Sequence, residues 1–328
     1  MLEGVEKTSL NLDGFIMKTA VLFLIFNRPD TTEKVFAAIR NARPERLYVA
    51  ADGSREGRPG EAEQCRATRE IVTAIDWECE LHTLFRDRNL GCRDAVSSAI
   101  TWFFDQEEEG IILEDDCLPQ LSFFQFCELM LDLYRDDERV MMTGGTNYLL
   151  DQLDIEESYC FSRYFPIWGW ASWRRAWNKY DLTMKEWPRL KVEGALKSFY
   201  SQRFMQRHVS NMFDGARAGR LATWDIQWFY SCLFNNALCI IPRVNLISNI
   251  GLVGTHTSGD TANNSFPVFD LQTEHLVHPS NIYPNFRYDG EFFSKKLKTG
   301  VAGLARKVYF AVRKRCENAV HSLSGREK

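Results

Sequence analysis

Three adjacent carboxylates, Glu114, Asp115 and Asp116, are the residues of this sequence best suited to chemistry. They follow the short apolar run Ile111–Leu113, whose pattern predicts a buried strand. Adjacent acids repel one another, and a hard divalent cation is the simplest way to relieve that repulsion. In an extended segment, Glu114 and Asp116 would share one face and Asp115 would point away. The alternative interpretation is a solvated acidic turn.

Polar residues also follow the first two predicted strands. The apolar run Thr19–Phe26 ends in Asn27 and Arg28, and the run Leu47–Ala51 ends in Asp52. Carboxyl ends of parallel strands form one edge of a sheet, where ligands of α/β proteins bind. We therefore expect these side chains and the acid triplet to line one rim.

Two further arginines, Arg88 and Arg93, follow the third predicted strand, Cys79–Phe85. A helix is predicted from this point to Phe104. Arg93 lies at the start of that helix, where a cation is poorly placed relative to the helix dipole, and this favours a ligand role.

In the second half of the chain, Asp225 is the acid of interest. Thr223 is predicted to cap a helix that contains Asp225 and continues to Asn235. A carboxylate within reach of a hydroxyl can act as a general base, but Asp225 could equally be an ordinary acid at a helix N-terminus. Upstream, residues 191–211 are predicted to form one helix.

A segment rich in tryptophan and glycine, residues 166–173, is predicted to be a functional loop leading into a helix. It contains Trp168, Gly169 and Trp170, and Trp224 lies beside Asp225. The exposed indoles could stack on sugars, whereas the others would pack in the core.

Composition limits the function classes. The 328 residues carry a net charge of −4, which argues against a nucleic-acid partner. Nine cysteines without CxxC pairs predict reduced thiols in a cytoplasmic protein. No run approaches the roughly 20 apolar residues of a membrane span.

Strands alternating with helices predict an α/β fold with a mostly parallel central sheet flanked by helices. Residues 1–16 are interpreted as an extension or tag. Residues 17–290 are predicted to form the main domain, divided into a nucleotide-binding half (17–119) and an acceptor half (120–290).

Residues 291–328 carry ten Lys and Arg against three Glu. This tail is predicted to be a basic amphipathic helix that binds either an anionic membrane surface or the protein's own acidic body.

The ordered set of motifs resembles the GT-A (Rossmann-like) glycosyltransferases of the nucleotide-diphospho-sugar transferase superfamily. In particular it resembles the branch with the N-acetylglucosaminyltransferase that starts complex N-glycans, and its bacterial relatives. The resemblance covers roughly residues 18–258. Its motifs are Asn27-Arg28-Pro29, Asp52-Gly53, Arg88-Asn89-Leu90-Gly91, Glu114-Asp115-Asp116, Trp168-Gly169-Trp170, Trp224-Asp225 and Asn249-Ile250-Gly251 followed by Thr255-His256.

The resemblance implies roles for the acids. Asp116 would bind a divalent metal, with Mn²⁺ favoured over Mg²⁺, and His256 would be a second ligand or a plain surface histidine. Asp115 would hold the ribose, Glu114 would lie near the donor sugar, and Asp52 would pair with the base edge.

The resemblance also implies roles for the other motif residues. Asp225 would be the general base. The remaining donor-binding residues would be Asn27, Arg28, Arg88 and Arg93. The acceptor-binding residues would be Trp168, Gly169, Trp170 and Trp224.

The function implied is an inverting, metal-dependent glycosyltransferase that moves a hexosyl or N-acetylhexosaminyl group from a nucleotide-diphosphate sugar, with a UDP-sugar favoured. Its acceptor would be a glycan or a lipid-linked glycan. We expect it in the cytoplasm, peripheral on the inner face of the cytoplasmic membrane. Two alternatives are a catalytically inactive nucleotide-sugar-binding adaptor at the membrane and a sugar nucleotidyltransferase.

Overall fold

The computed structural model describes residues 17–149, 155–251 and 267–292. The chain divides into two compact units, residues 1–284 and residues 285–328. In the second unit the Asn285 side chain accepts a hydrogen bond from the Tyr288 backbone N–H at 3.0 Å. The predictions for residues 1–16, for His256 and for the basic tail beyond residue 292 lie outside the described residues. The site and the proposals below concern the first unit, and only one control position, Gly290, lies in the second.

The first half of this unit alternates strands with helices, as predicted. Its elements are β1 (Ala20–Ile25), α1 (Pro29–Ala42), β2 (Arg46–Ala51), α2 (Glu61–Thr73), β3 (Glu80–Phe85), α3 (Gly91–Phe104), β4 (Glu109–Glu114), β5 (Cys117–Pro119) and α4 (Leu121–Leu133).

The second half has shorter and less regular elements. They are β6 (Val140–Gly144), β7 (Tyr159–Ser162), β8 (Trp170–Trp173), α5 (Arg174–Trp177), α6 (Trp187–Val192), a 3₁₀ turn (Ala195–Ser198), α7 (Arg203–Arg217), α8 (Asp225–Phe234), β9 (Leu238–Pro242), β10 (Ile247–Asn249) and a second 3₁₀ turn (Thr273–His275).

Eight strands form one sheet in the order β3-β2-β1-β4-β8-β6-β9-β7. The strands β3, β2, β1 and β4 pair in parallel, and so do β6 and β9. Strand β8 is antiparallel to β4 and β6, and β7 is antiparallel to β9. A small second sheet pairs β5 with β10. The protein is therefore an α/β protein with a large, mostly parallel sheet, which confirms the predicted fold class.

The centre of the sheet explains why β1 and β4 are continuous apolar runs. Every residue of β1 is buried, and β4 is buried from Gly110 to Leu113. Strands covered by helices on both faces need apolar side chains on both faces. Gly110 has no room for a side chain, because a Cβ there would overlap the ring of Phe103 from α3.

A proline sets the start of α1, and two predictions, for the helix over residues 191–211 and for the tryptophan-rich segment, are wrong. Helix α1 begins at Pro29 with Arg28 at its N-cap, because a proline at the first helical position fits the helix without losing a hydrogen bond. The predicted helix over residues 191–211 is interrupted, since Gly194 adopts a left-handed conformation (φ 71°) between α6 and the 3₁₀ turn. The predicted loop at Trp170 is instead strand β8, whose pairing with β4 and β6 is not visible in the local sequence.

The acid triplet is also arranged differently from the extended segment that we predicted. Strand β4 ends at Glu114, and residues 115 and 116 form a turn before β5. Strand alternation therefore stops at Glu114, and Asp115 and Asp116 can face the same partner.

Within the described ranges, no helix has the length and apolar character that crossing a membrane requires.

Candidate active site at the carboxyl edge of the sheet

The parallel strands β2, β1 and β4 bring the predicted rim residues to one edge. In the register, Ile25 pairs with Ala51 and Leu24 pairs with Glu114. Asn27 and Arg28 leave β1, Asp52 leaves β2 and the acid triplet leaves β4 at this same edge. The convergence predicted from the strand ends is present.

Arg28 connects the two aspartates of the triplet. Its Nη1 donates to Asp116 Oδ2 at 2.8 Å, and its Nη2 forms an ion pair with Asp115 Oδ1. The second oxygen of Asp115 accepts a hydrogen bond from the Phe26 backbone N–H at 3.2 Å. Asp115 is buried, with its side chain 3% exposed, and Asp116 is 15% exposed. A buried carboxylate needs such compensation, because leaving it unpaired is costly.

Burial and mutual repulsion govern the protonation of this cluster. Burial raises the pKa of Asp115 to about 6, although Arg28 opposes the rise. Burial raises the pKa of Glu114 to about 8, and the charges of the neighbouring aspartates and of Asp225 add to this effect. Burial opposes the charge of Arg28, but the carboxylates of Asp115 and Asp116 outweigh it and raise the pKa of Arg28. The acid triplet therefore holds the Arg28 cation among carboxyl groups that resist ionising together.

Asp116 can serve as a single-carboxylate ligand for a hard cation. Among the described residues, no group of three or more His, Cys, Asp or Glu side chains could hold a metal ion. Divalent cations at phosphate-transfer sites are commonly bound by one or two carboxylates together with substrate phosphates and water. The partly exposed Asp116 fits that mode, with the substrate supplying the other oxygens.

Asp52 accepts hydrogen bonds from the loop that begins α3. Its oxygens accept from the backbone N–H groups of Gly53, Leu90 and Gly91, each at 3.0 Å. The N–H groups of Leu90 and Gly91 lie at the N-terminus of α3, where carboxylates are favoured. Asp52 is 8% exposed and holds the β2 and β3 loops together. Its predicted pairing with a base edge stays a prediction.

Gly53 allows these two loops to meet, and we expect Gly53→Ala to destabilise the protein. A Cβ at this position would lie 2.5 Å from the Arg88 carbonyl carbon and 2.7 Å from its amide nitrogen. Because backbone atoms cannot rotate away as a side chain can, the free energy of unfolding should fall by about 1–3 kcal/mol. Gly290→Ala is the matched control, since no described atom lies within 4 Å of a Cβ there. Urea unfolding measures both variants, and equal midpoints would show that the loops can separate at no cost.

Glu61 is a residue of this edge that the sequence analysis missed. It is the first residue of α2 and is 5% exposed. Its carboxylate accepts from the Asn27 amide nitrogen at 3.0 Å and from the Arg55 backbone N–H at 2.7 Å, and it forms an ion pair with the Arg55 guanidinium. A carboxylate accepts only, so the Asn27 amide must direct its NH₂ group to Glu61. The orientation of Asn27 is thereby fixed. An acid that begins a helix is too common a pattern to have indicated this role.

Asp225 is the first residue of α8 and is partly exposed. The prediction that the Thr223 side chain caps this helix is wrong. The N-cap residue is Trp224, and the Thr223 hydroxyl donates to Asp225 Oδ1. The charge of Asp225 contributes to the raised pKa of Glu114, so the base candidate lies within electrostatic reach of the acid triplet.

Two residues that the sequence analysis did not assign, Cys92 and Tyr180, also lie within electrostatic reach of Asp225. Burial raises the pKa of the Cys92 thiol to about 12, and the nearby carboxylates of Glu114 and Asp225 add to it. The thiol therefore stays protonated and is a poor nucleophile. Burial and the charge of Asp225 also raise the pKa of Tyr180, whose hydroxyl donates to the Trp224 carbonyl at 3.1 Å.

The two predicted arginines beyond β3 are less closely tied to the acids. Arg93 forms a bidentate ion pair with Asp94, at 2.9 Å and 3.0 Å, and its side chain is 39% exposed. Arg88 contributes backbone to the contact with Gly53, and its side chain is exposed. Their donor-binding roles stay predictions.

The predicted acceptor-binding residues separate into buried and partly exposed groups. Trp170 and Trp224 are buried, and their rings stack with centroids 5.7 Å apart and planes 20° from parallel. Trp168 is partly exposed. Gly169 has φ 62°, and a Cβ there would lie 2.5 Å from Ile247 Cδ1, so this position needs glycine. Of these three indoles only that of Trp168 is partly exposed, and it also contacts the Tyr148 ring, with centroids 5.4 Å apart.

Comparisons with known proteins give limited similarity. The chain matches no family model, and no curated protein is a significant match. Among solved structures, HddC from Yersinia pseudotuberculosis is 8% identical with a TM-score of 0.31, covering 48% of this chain and 77% of that chain. The inositol-1-phosphate CTP transferase from T. maritima is 10% identical with a TM-score of 0.30, covering 49% and 73%. An apo UDP-glucose pyrophosphorylase is 9% identical with a TM-score of 0.31, covering 70% and 93%. These TM-scores are too low to assign the chain to the same fold family as those proteins.

Proposed function

We propose that this protein is an inverting glycosyltransferase that moves a sugar from a nucleotide-diphosphate sugar, with a UDP-sugar favoured, to a hydroxyl of a glycan or lipid-linked glycan. The observation that carries the proposal is that a carboxylate with no cation partner among the described residues, Asp225, lies within electrostatic reach of a cluster of acids paired with an arginine. Arg28 and the acid triplet lie at the carboxyl edge of β1 and β4, and the partly exposed Asp225 is close enough to affect the charge of Glu114.

The edge residues suit the diphosphate leaving group. As the glycosidic bond to the diphosphate breaks, negative charge grows on the phosphate oxygens, and fixed cations stabilise it. Arg28 is the cation held at this edge, and Asp116 can add a divalent ion, Mn²⁺ or Mg²⁺. Such an ion would supply further positive charge beside the diphosphate.

Asp225 suits the acceptor. An acceptor hydroxyl is a weak nucleophile and needs a carboxylate that takes its proton as it attacks. No pairing of Asp225 with a cation is present among the described residues, whereas Asp115 and Asp116 are both paired with Arg28. An unpaired carboxylate that faces the anomeric carbon opposite the diphosphate would give in-line displacement with inversion.

The alternative of a sugar nucleotidyltransferase needs a glycine-rich loop that holds the triphosphate just after the first strand. Only residues 26–28 separate β1 from α1, and none of them is glycine. This short connection favours glycosyl transfer. The inactive adaptor has the same binding edge but no use for Asp225.

One assay separates the three functions. The protein is incubated with a panel of nucleotide-diphosphate sugars, with Mn²⁺, with Mg²⁺ or with EDTA, and release of the nucleoside diphosphate is measured. We expect slow metal-dependent release of UDP from one UDP-sugar, because water replaces the missing acceptor. Pyrophosphate release from UTP and a sugar 1-phosphate would instead identify a nucleotidyltransferase. Binding of a nucleotide sugar with no turnover, with or without added glycan acceptors, would identify the adaptor.

A further inference from the structure

The Arg28 guanidinium lies where a divalent cation would need to contact Asp116. We propose that Arg28 takes the place of that cation in the nucleotide-free protein, so that the cation binds only together with a nucleoside diphosphate. The part concerning the diphosphate rests on the proposed function. The competition between Arg28 and a cation for Asp116 does not.

Both oxygens of Asp116 already have partners. Oδ2 accepts from Arg28 Nη1 at 2.8 Å, and Oδ1 accepts from the Cys117 thiol at 3.4 Å. A thiol is a weak donor, whereas the guanidinium contact is charge-assisted and strong. A cation that binds Asp116 must therefore compete with the Arg28 charge, whether it approaches Oδ2 or Oδ1.

The backbone at Gly251 closes the space beside this ion pair. A Cβ at Gly251 would overlap Asp116 Oδ2 and would lie 3.0 Å from Arg28 Nη1. The segment is fixed because the Ile250 N–H donates to the Asp116 carbonyl at 2.8 Å and β10 pairs with β5. A cation cannot simply be added on this side of the pair.

Charge balance explains why a diphosphate changes the outcome. A divalent ion that arrives alone must separate Arg28 from a partly buried acid and leaves two cations side by side. A diphosphate brings two or more negative charges, which give Arg28 a new partner while the ion takes Asp116. Asp115 also accepts a hydrogen bond from the Phe26 N–H, which does not depend on Arg28.

The test is the affinity for Mn²⁺ alone, measured by calorimetry and by the loss of the free-ion electron paramagnetic resonance signal. Arg28→Met should bind Mn²⁺ without nucleotide at least about tenfold more tightly than the parent, since a nearby charge shifts such equilibria by one or more factors of ten. Arg40→Met is the matched control. It removes the same charge from an exposed pair with Asp76 and should leave Mn²⁺ affinity unchanged. No gain in Arg28→Met, or an equal gain in both variants, overturns the proposal.

A second variant covers the case in which Arg28→Met leaves Asp115 unpaired and fails to fold. The double variant Arg28→Met, Asp115→Asn keeps the net charge of the parent and should still bind Mn²⁺ more tightly than the parent. Absence of that gain also overturns the proposal.

Titrating UDP into the parent with and without Mn²⁺ tests the part of the proposal that concerns the diphosphate. If UDP binds in neither condition while the variants gain Mn²⁺ affinity, the competition stands and the proposed function fails.

Discussion

Asp225→Asn is expected to retain nucleotide-sugar binding and to lose sugar transfer by ~10²–10⁴-fold. The amide keeps the shape of the side chain but cannot take a proton from the acceptor hydroxyl. The measurement is kcat for transfer to an acceptor, or for hydrolysis of the donor, together with donor affinity by calorimetry. An equal loss in donor affinity would place Asp225 in the binding pocket rather than in the proton transfer.

The control for Asp225→Asn must test the plain structural interpretation, in which Asp225 is only an acid at a helix N-terminus. Glu63→Gln removes an exposed first-turn acid from α2 in the same way. Loss of a favourable dipole interaction costs about 0.3–1 kcal/mol of stability. Both variants should show this small change in unfolding, and only Asp225→Asn should lose turnover. If turnover falls in both variants alike, the effect is structural.

Asp116→Asn is expected to weaken metal-dependent nucleotide binding by at least about 10²-fold, since loss of groups that merely orient metal ligands already costs 10–100-fold. The fold should persist because Arg28 keeps its ion pair with Asp115. The measurement is UDP affinity with Mn²⁺ and with EDTA, alongside the thermal unfolding midpoint.

Asp76→Asn is the matched control for Asp116→Asn, because Asp76 is also paired with an arginine but on the exposed surface. Its UDP affinity should equal that of the parent. A parent-like affinity of Asp116→Asn for UDP with Mn²⁺ would show that the metal assignment is wrong.

The sequence by itself determined the first half of the fold, over residues 17–119. The apolar runs of β1 and β4, each bounded by polar residues, indicate buried parallel strands because burial on both faces requires continuous apolar sequence. Their polar ends then predict one shared edge, since parallel strands end on the same side. The convergence of Arg28, Asp52 and the acid triplet follows from these local signals.

Tertiary structure alone decided how those side chains are used. Arg28 contacts Asp115 across 87 positions of the chain, and Asp52 accepts from Leu90 across 38. Strand β8 forms from a segment that looks like a loop, because β4 and β6 supply its hydrogen-bond partners. Glu61 acquires its role only because the loop after β2 places it beside Asn27. Local sequence records propensity and polarity, whereas the pairing of charges depends on which distant segments the packed sheet brings within a few ångströms.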